Sequence, residues 1–468
     1  MPDSHRRRWW WVLVATGLGS WLVTASLSTV NVAFTELQRH FEGRSLTAIG
    51  WIVTAYSIAF GALLVPAGRI ADRFGRRRVF DLGLALFAVG ALSCIVAPGL
   101  GGLIVGRVLQ GIGGAVIVPA SLGLLLEVSA EGERLRAVSF WAASNTIGGA
   151  SGPTLGALVV AVGGWRAVFV FSALAAALTW AIGSVHLPAS GPSDTASTID
   201  GPGVVLTALV MASATLVISE GNAWGWSSPG LLGLAVLCVV AAVVLVVRSR
   251  AQPYPVLPVD LFRHRRFSVG TAALLVFGVA GGGLQLLNVL FMRNVWGYSA
   301  LEAGIGVTPA PLFATLMAPF TSRLGQRFGE RAVAVPGAVV VAAGVAGYLL
   351  LDETPRYWSH YFPASALSGI GVSMLFAMLS SAAVRDADAA RLSLASGAAR
   401  TANQLGTAAG LALLFVILGE GVGSLERYRQ GWFLILAMTG VTLVLASALA
   451  PWRRAGLDAA RPRPAVSG

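Results

Sequence analysis

Apolar residues run along this chain in long blocks broken by short polar or arginine-bearing turns. A helix needs about 20 mostly apolar residues to cross the hydrocarbon of a bilayer. Blocks of about that length fall near 10–34, 47–67, 80–97, 101–127, 136–160 and 165–187. After a polar stretch from Pro188 to Gly203, further blocks fall near 203–219, 230–248, 268–292, 302–322, 332–351, 360–384, 394–419 and 431–451. The pattern predicts fourteen membrane helices and an all-α integral membrane fold. The first block, entered through Arg6 to Arg8 and Trp9 to Trp11, is too long for the apolar core of a secretion signal.

The polar turns carry a weak repeat. Gly68-Arg-Ile-Ala-Asp-Arg-Phe-Gly-Arg-Arg-Arg78 follows the second block, and Ser322-Arg-Leu-Gly-Gln-Arg-Phe-Gly-Glu-Arg-Ala332 follows the tenth. Laying one on the other sets blocks 1–6 against blocks 9–14. The expected organisation is a six-helix half over 1–187 and a second over 268–452. Between them, 188–267 supplies a cytoplasmic linker, two extra helices and a second cytoplasmic loop, and 453–468 forms a tail. Duplicated six-helix halves are a transporter signature, with the substrate held between them near midplane.

Composition agrees with a lipid-facing exterior. Apolar residues make up 56% of the 468 positions and charged residues only 12%, about half a soluble protein's share. The net charge of +12 comes entirely from arginine, since lysine is absent. These arginines sit in separate short loops and not in one patch, which argues against a nucleic-acid partner. With the N-terminus inside, 24 of the 33 fall in cytoplasmic segments and seven in outer loops. That bias predicts both termini in the cytoplasm. Cys94 and Cys238 lie within apolar blocks, and the five histidines are scattered, so no metal site is expected.

Three motifs carry chemistry. In the first loop, which also holds Arg73 and Arg76, Gly68 and Gly75 permit a tight turn, and Asp72 can accept hydrogen bonds from a helix N-terminus or pair with an arginine. The loop reads as a conformational latch between helices or as a positive-inside anchor. In the fourth block, Arg107 and Gln110 share a helix face. A charge there is expensive and normally faces the bundle interior, either for function or satisfied by backbone carbonyls. In the fifth block, Gly148, Gly152 and Gly156 make one flat face beside Pro153, which would let another helix approach closely; the proline adds a kink. These motifs, with Thr29 to Ala33, Trp51 to Tyr56 and the segment 396–410, resemble the fourteen-helix drug:proton antiporter branch of the major facilitator superfamily over nearly the whole chain.

The resemblance implies a secondary exporter of small hydrophobic molecules, drugs or a natural product, working by alternating access. It implies a proton gradient as the energy source with no cofactor, Arg107 as the proton-coupling candidate, Gly148, Gly152, Pro153 and Gly156 as the antiporter motif, and no partner beyond substrate, protons and lipid, so a monomer in the cytoplasmic membrane. An uptake carrier and a membrane enzyme are alternatives; the glycine–proline motif speaks against the first, and no acid pair, histidine cluster or Asp-rich motif supports the second. No phosphate-binding loop of the ATPase type is present.

The chain also departs from the pattern. Gln326 stands where Asp72 does and Glu330 where Arg76 does, implying a latch strong in the first half only. Ala157 replaces a glycine. No acid lies near the middle of any block: Glu36, Glu220, Glu302 and Glu420 fall at outer ends, and Asp72, Asp81, Glu127 and Asp386 at inner ends. Arg107 and Arg400 are then the midmembrane charges, and a cavity holding them would favour anionic or neutral ligands over lipophilic cations. Asn31, Gln110, Asn145, Gln285, Asn288, Asn403 and Gln404 are the polar cavity candidates, each able to orient a ligand or to bridge helices.

Overall fold

The computed structural model describes residues 3–129, 133–188, 200–252, 255, 259–385, 392–419 and 424–449. Asp386, Glu420 and the tail from 453 lie outside them.

Helices α1 (Asp3–His40), α2 (Leu46–Phe74), α3 (Arg76–Val96), α4 (Leu100–Val128) and α5 (Arg134–His186) build the first half. Helices α6 (Gly201–Trp224) and α7 (Pro229–Ala251) follow. The second half contains α8 (Arg265–Asn294), α9 (Ala300–Gly306), α10 (Pro309–Phe328), α11 (Glu330–Leu349), α12 (Phe362–Val384), α13 (Leu392–Leu418) and α14 (Leu425–Ser447). Among the described residues, thirteen helical segments are long and apolar enough to cross a membrane.

The fourteenth predicted crossing is inside α5. Its 53 residues would reach about 80 Å if straight, more than twice the hydrocarbon thickness. The helical geometry breaks at Gly163 and at Gly164, whose φ of +66° suits only glycine. The side chains show the hairpin. The Trp141 indole donates to Ser121 on α4, Arg166 donates to the Ile95 carbonyl at the far end of α3, and His186 stacks on Trp11 back near the starting level. The two predicted blocks are thus two crossings joined at a glycine pair inside α5. Conversely, α9 and α10 together form one crossing.

The repeat is visible in the backbone. The first-loop copy turns at Gly75 with φ +93°, and the second turns at the equivalent Gly329 with φ +86°. In the first half α1 packs on α5 and α3 on α4; in the second α8 packs on α13 and α11 on α12. These are the same pairings under the sequence alignment of the halves. Helix α6 packs against both α2 and α13, with Met211 reaching Gly61. Helix α7 presents Val236, Val239, Val240, Val243 and Val247 outward, a ridge suited to lipid. The α6–α7 pair is tied at its base by Asp200, which caps α6 through the Gly203 N–H and accepts from Arg248 at 3.0 Å.

The α1–α5 contact rests on the glycine stripe. A Cβ at Gly156 would lie 2.8 Å from the Thr29 Cα, and one at Gly152 would collide with Ser28. Pro153 does not break the helix: the non-helical backbone values in α5 are confined to Gly163 and Gly164. The departure at Ala157 is answered across the interface, where Gly304 of α9 leaves room for its methyl group. Gly152→Leu is therefore expected to overpack α1 against α5 and destabilise the fold by about 1–3 kcal/mol. Size-exclusion chromatography after stepwise heating would read this as a lowered midpoint of several degrees.

Candidate substrate cavity

A cavity of about 890 Å³ lies between the halves, lined by α1, α2, α5, α8, α10, α12 and α13. That volume suits a drug-sized ligand. Most of the lining is apolar or small: Leu27, Val53, Leu274, Phe277, Val372, Phe376 and several glycines. Helix α4 contributes nothing to it.

Of the eight predicted cavity residues, Asn31, Asn145, Gln285, Asn288, Arg400, Asn403 and Gln404 line this space, and Gln110 does not. Their hydrogen bonds separate helix bridges from uncommitted groups. Asn145 donates to Ser20, Asn403 donates to the Leu274 carbonyl at 2.9 Å, and Asn288 accepts from the Trp432 indole at 2.9 Å. Asn31, Gln285, Gln404 and Arg400 make no side-chain hydrogen bond among the described residues. Pro153 adds a backbone acceptor: lacking an N–H, it leaves the Gly149 carbonyl without its intrahelical donor, and Gly149 lines the cavity.

Arg107 stands elsewhere. It is fully buried between α2 and α4. Its Nε donates to the Ile52 carbonyl at 2.9 Å, Nη1 donates to Gln110 Oε1 at 2.9 Å, and the guanidinium lies 4.3 Å from the Tyr56 ring centroid. The pairing of Arg107 with Gln110 expected from their spacing is present, but in the packed interior. The expectation that both midmembrane arginines face one cavity is corrected: a carbonyl, an amide and an aromatic face answer Arg107, and Arg400 alone is open to the cavity. Nη2 of Arg107 and Nε2 of Gln110 have no partner among the described residues.

The halves touch at the end remote from the arginine-rich loops. Phe34 stacks on Phe415 at 5.3 Å, Thr154 and Thr308 hydroxyls meet at 2.8 Å, and Glu36 accepts from Arg293 at 2.9 Å. The lining instead extends to Val384 and Ser396, beside the arginine-rich loops. Sequence reading placed Glu36 at a helix end but not its partner, because the two are 257 positions apart. The aromatic and hydroxyl contacts had no sequence signal beyond ordinary apolar or small residues.

The loop motif ties helices within each half. Arg76 pairs with Asp72 at 2.9 Å, donates to the Gly123 carbonyl near the end of α4, and approaches Glu127 at 3.9 Å. Gly68 faces Pro119 of the same helix, and Arg73 lies over its neighbour Phe74. The second copy is not the weak one expected. Glu330, in the position of Arg76, accepts from Arg385 and Ser381 at the end of α12. Both halves join the start of their third helix to the end of their fourth, with the charges exchanged.

Comparison with known proteins agrees with this architecture. The profile described as Major Facilitator Superfamily matches residues 16–411 and, in a second match, 271–465, and the chain belongs to that family. It is 32% identical to the puromycin resistance protein of Streptomyces alboniger, over 88% of this chain and 82% of that one. It is 31% identical to the methylenomycin A resistance protein of Bacillus subtilis, over 87% of each chain. It is 28% identical to the multidrug resistance protein Stp of Mycobacterium tuberculosis, over 87% of this chain and 75% of Stp. Among solved structures, the nucleoside transporter NupG superposes with a TM-score of 0.67 at 12% identity, over 94% of this chain and 99% of NupG. A POT family transporter superposes at 0.65 and 17% identity, over 93% and 95%. At such identities the likeness concerns the fold.

The two glutamines predict different mutational costs. Gln110→Leu strands a buried guanidinium N–H and is expected to destabilise the protein by about 1–3 kcal/mol. Gln404→Leu, at a cavity surface, is expected to leave the thermal midpoint within a degree or two. Parallel melting of the two variants checks the difference.

Proposed function

We propose that the protein is a secondary exporter of small hydrophobic compounds, working by alternating access between its two halves. The observation that carries this reading is the cavity between the halves, which their contacts close at one end and whose lining runs to the arginine-rich loops at the other. An arginine bias of this kind marks the cytoplasmic side, so this conformation receives its ligand from the cytoplasm, and both termini lie there. Relatives named for resistance to puromycin, methylenomycin A and several drugs support export over uptake. We assign the driving force to the transmembrane proton gradient and the working unit to the monomer, in the cytoplasmic membrane. The Arg107–Gln110–Tyr56 cluster joins α2 to α4 within the first half, and we assign it the candidate role in coupling.

The test is accumulation of puromycin, methylenomycin A and neutral and acidic aromatic dyes in an efflux-deficient host, at two external pH values. Gly281→Trp is the control, because no atom lies within 4 Å of a Cβ built at Gly281, and a large side chain there fills the cavity without disturbing packing. The wild type is expected to lower accumulation of at least one compound several-fold, more strongly at acidic external pH, and Gly281→Trp to abolish the effect. Equal accumulation with both proteins, or accumulation raised by the wild type, contradicts the reading.

A further inference from the structure

We infer that the cavity contains an anion-binding subsite centred on Arg400, and that the exported compound is an amphiphilic organic acid with an apolar, aromatic body; this rests on the export reading above. Arg400 lies nine residues into α13, about 12 Å along its axis from the arginine-rich end. It is exposed to the cavity and makes no hydrogen bond, ion pair or ring contact among the described residues. Among the described residues no Asp or Glu lines the cavity, so none of them neutralises this charge.

An aqueous pocket walled by low-dielectric protein focuses the field of the Arg400 charge. A carboxylate or acidic phenolate entering it meets a fork of donors suited to bidentate binding. A lipophilic cation would instead lose hydration beside a like charge, with no acid among the described lining residues to compensate. The contrast with Arg107 is informative. That guanidinium is held by a carbonyl, an amide and a ring within the packed interior. Arg400 is left for water or ligand, although its own helix is well anchored: one residue on, Thr401 donates to the Gly61 carbonyl at 3.0 Å.

The surroundings define the rest of the ligand. Gln404, four residues along, shares the face of Arg400 and offers a free amide. Phe277 and Phe376, with ring centroids 6.2 Å apart, line the cavity from α8 and α12. Phe277 adjoins Gly278, which abuts the Asn403 carbonyl, so these rings lie near the level of Asn403, one turn from Arg400. An acidic head on Arg400 therefore leaves an aromatic body against the phenylalanine pair.

Three ligands with one fluorescent body test this: anthracene carboxylate, anthracene methanol and anthracenylmethyl trimethylammonium, titrated into purified protein in nanodiscs. Wild type is expected to bind the carboxylate at least tenfold more tightly than the alcohol, and the ammonium most weakly. Arg400→Gln should remove the carboxylate preference and leave alcohol binding within about twofold, and Arg400→Lys should keep part of it. Unchanged thermal midpoints would show that the variants fold. Failure of wild type to bind the carboxylate, binding of all three ligands equally, or an Arg400→Gln variant that keeps the preference overturns the subsite. Efflux of the same ligands from cells separates the two readings. Arg400-dependent binding without efflux would refute export and keep the subsite; efflux of the alcohol with the carboxylate ignored would refute the subsite and keep export.

Discussion

Close approach of helix backbones is the constraint on which this structure depends. In lipid the hydrophobic effect does not press helices together, so packing and short interhelical contacts must. Here the contacts are made through glycine. Gly156 meets Thr29 between α1 and α5, Gly113 meets the Gly83 carbonyl between α4 and α3, and Gly344 meets the Ala364 carbonyl between α11 and α12. Gly278 and Gly282 lie against Asn403 and Thr407 between α8 and α13. A side chain at any of these would force two backbones apart. The same two pairings recur in both halves, so each half moves as a packed body while the space between them remains free to open.

The two intramembrane arginines show how the fold treats charge. A buried guanidinium needs partners for its N–H groups, and Arg107 receives two, from α2 and from its own helix. That arrangement is a structural joint. Arg400 has the opposite setting: an anchored helix, an unpaired head and an aqueous cavity. Charge kept unpaired in a cavity is available to a ligand, and charge satisfied in a core is not. The acidic groups follow a related division, with Glu36 and Glu330 pairing at the ends of helices where solvent moderates the cost.

Much of this was legible in the sequence because lipid imposes strong rules. Block length gave the crossings, arginine bias gave a polarity, and the repeated loop anticipated the shared pairings and the two glycine turns. Seven of the polar cavity residues were recognisable because a polar group in an apolar block must face something other than lipid. Gln110 could not be separated from them, since its partner decides its place and helix spacing alone allows either. The boundary inside α5 was legible as the gap between the blocks 136–160 and 165–187, where Gly163 and Gly164 turn the chain. The exchanged pair Glu330–Arg385 looked like a lost motif; a charge reversal reads as a defect until its partner 55 positions away is known. Contacts between the halves, such as Thr154 with Thr308, leave no periodic trace.

For a ligand to leave, the two halves must part at the Thr154–Thr308 end. Their hydroxyls are 2.8 Å apart, close enough for cysteines placed there to join. Thr154→Cys combined with Thr308→Cys, in a protein whose Cys94 and Cys238 are replaced by alanine, can be oxidised in membrane vesicles and its export rate measured before and after reduction. Efficient cross-linking, arrested export and recovery on reduction are expected. Undiminished export by the fully cross-linked protein would contradict this requirement.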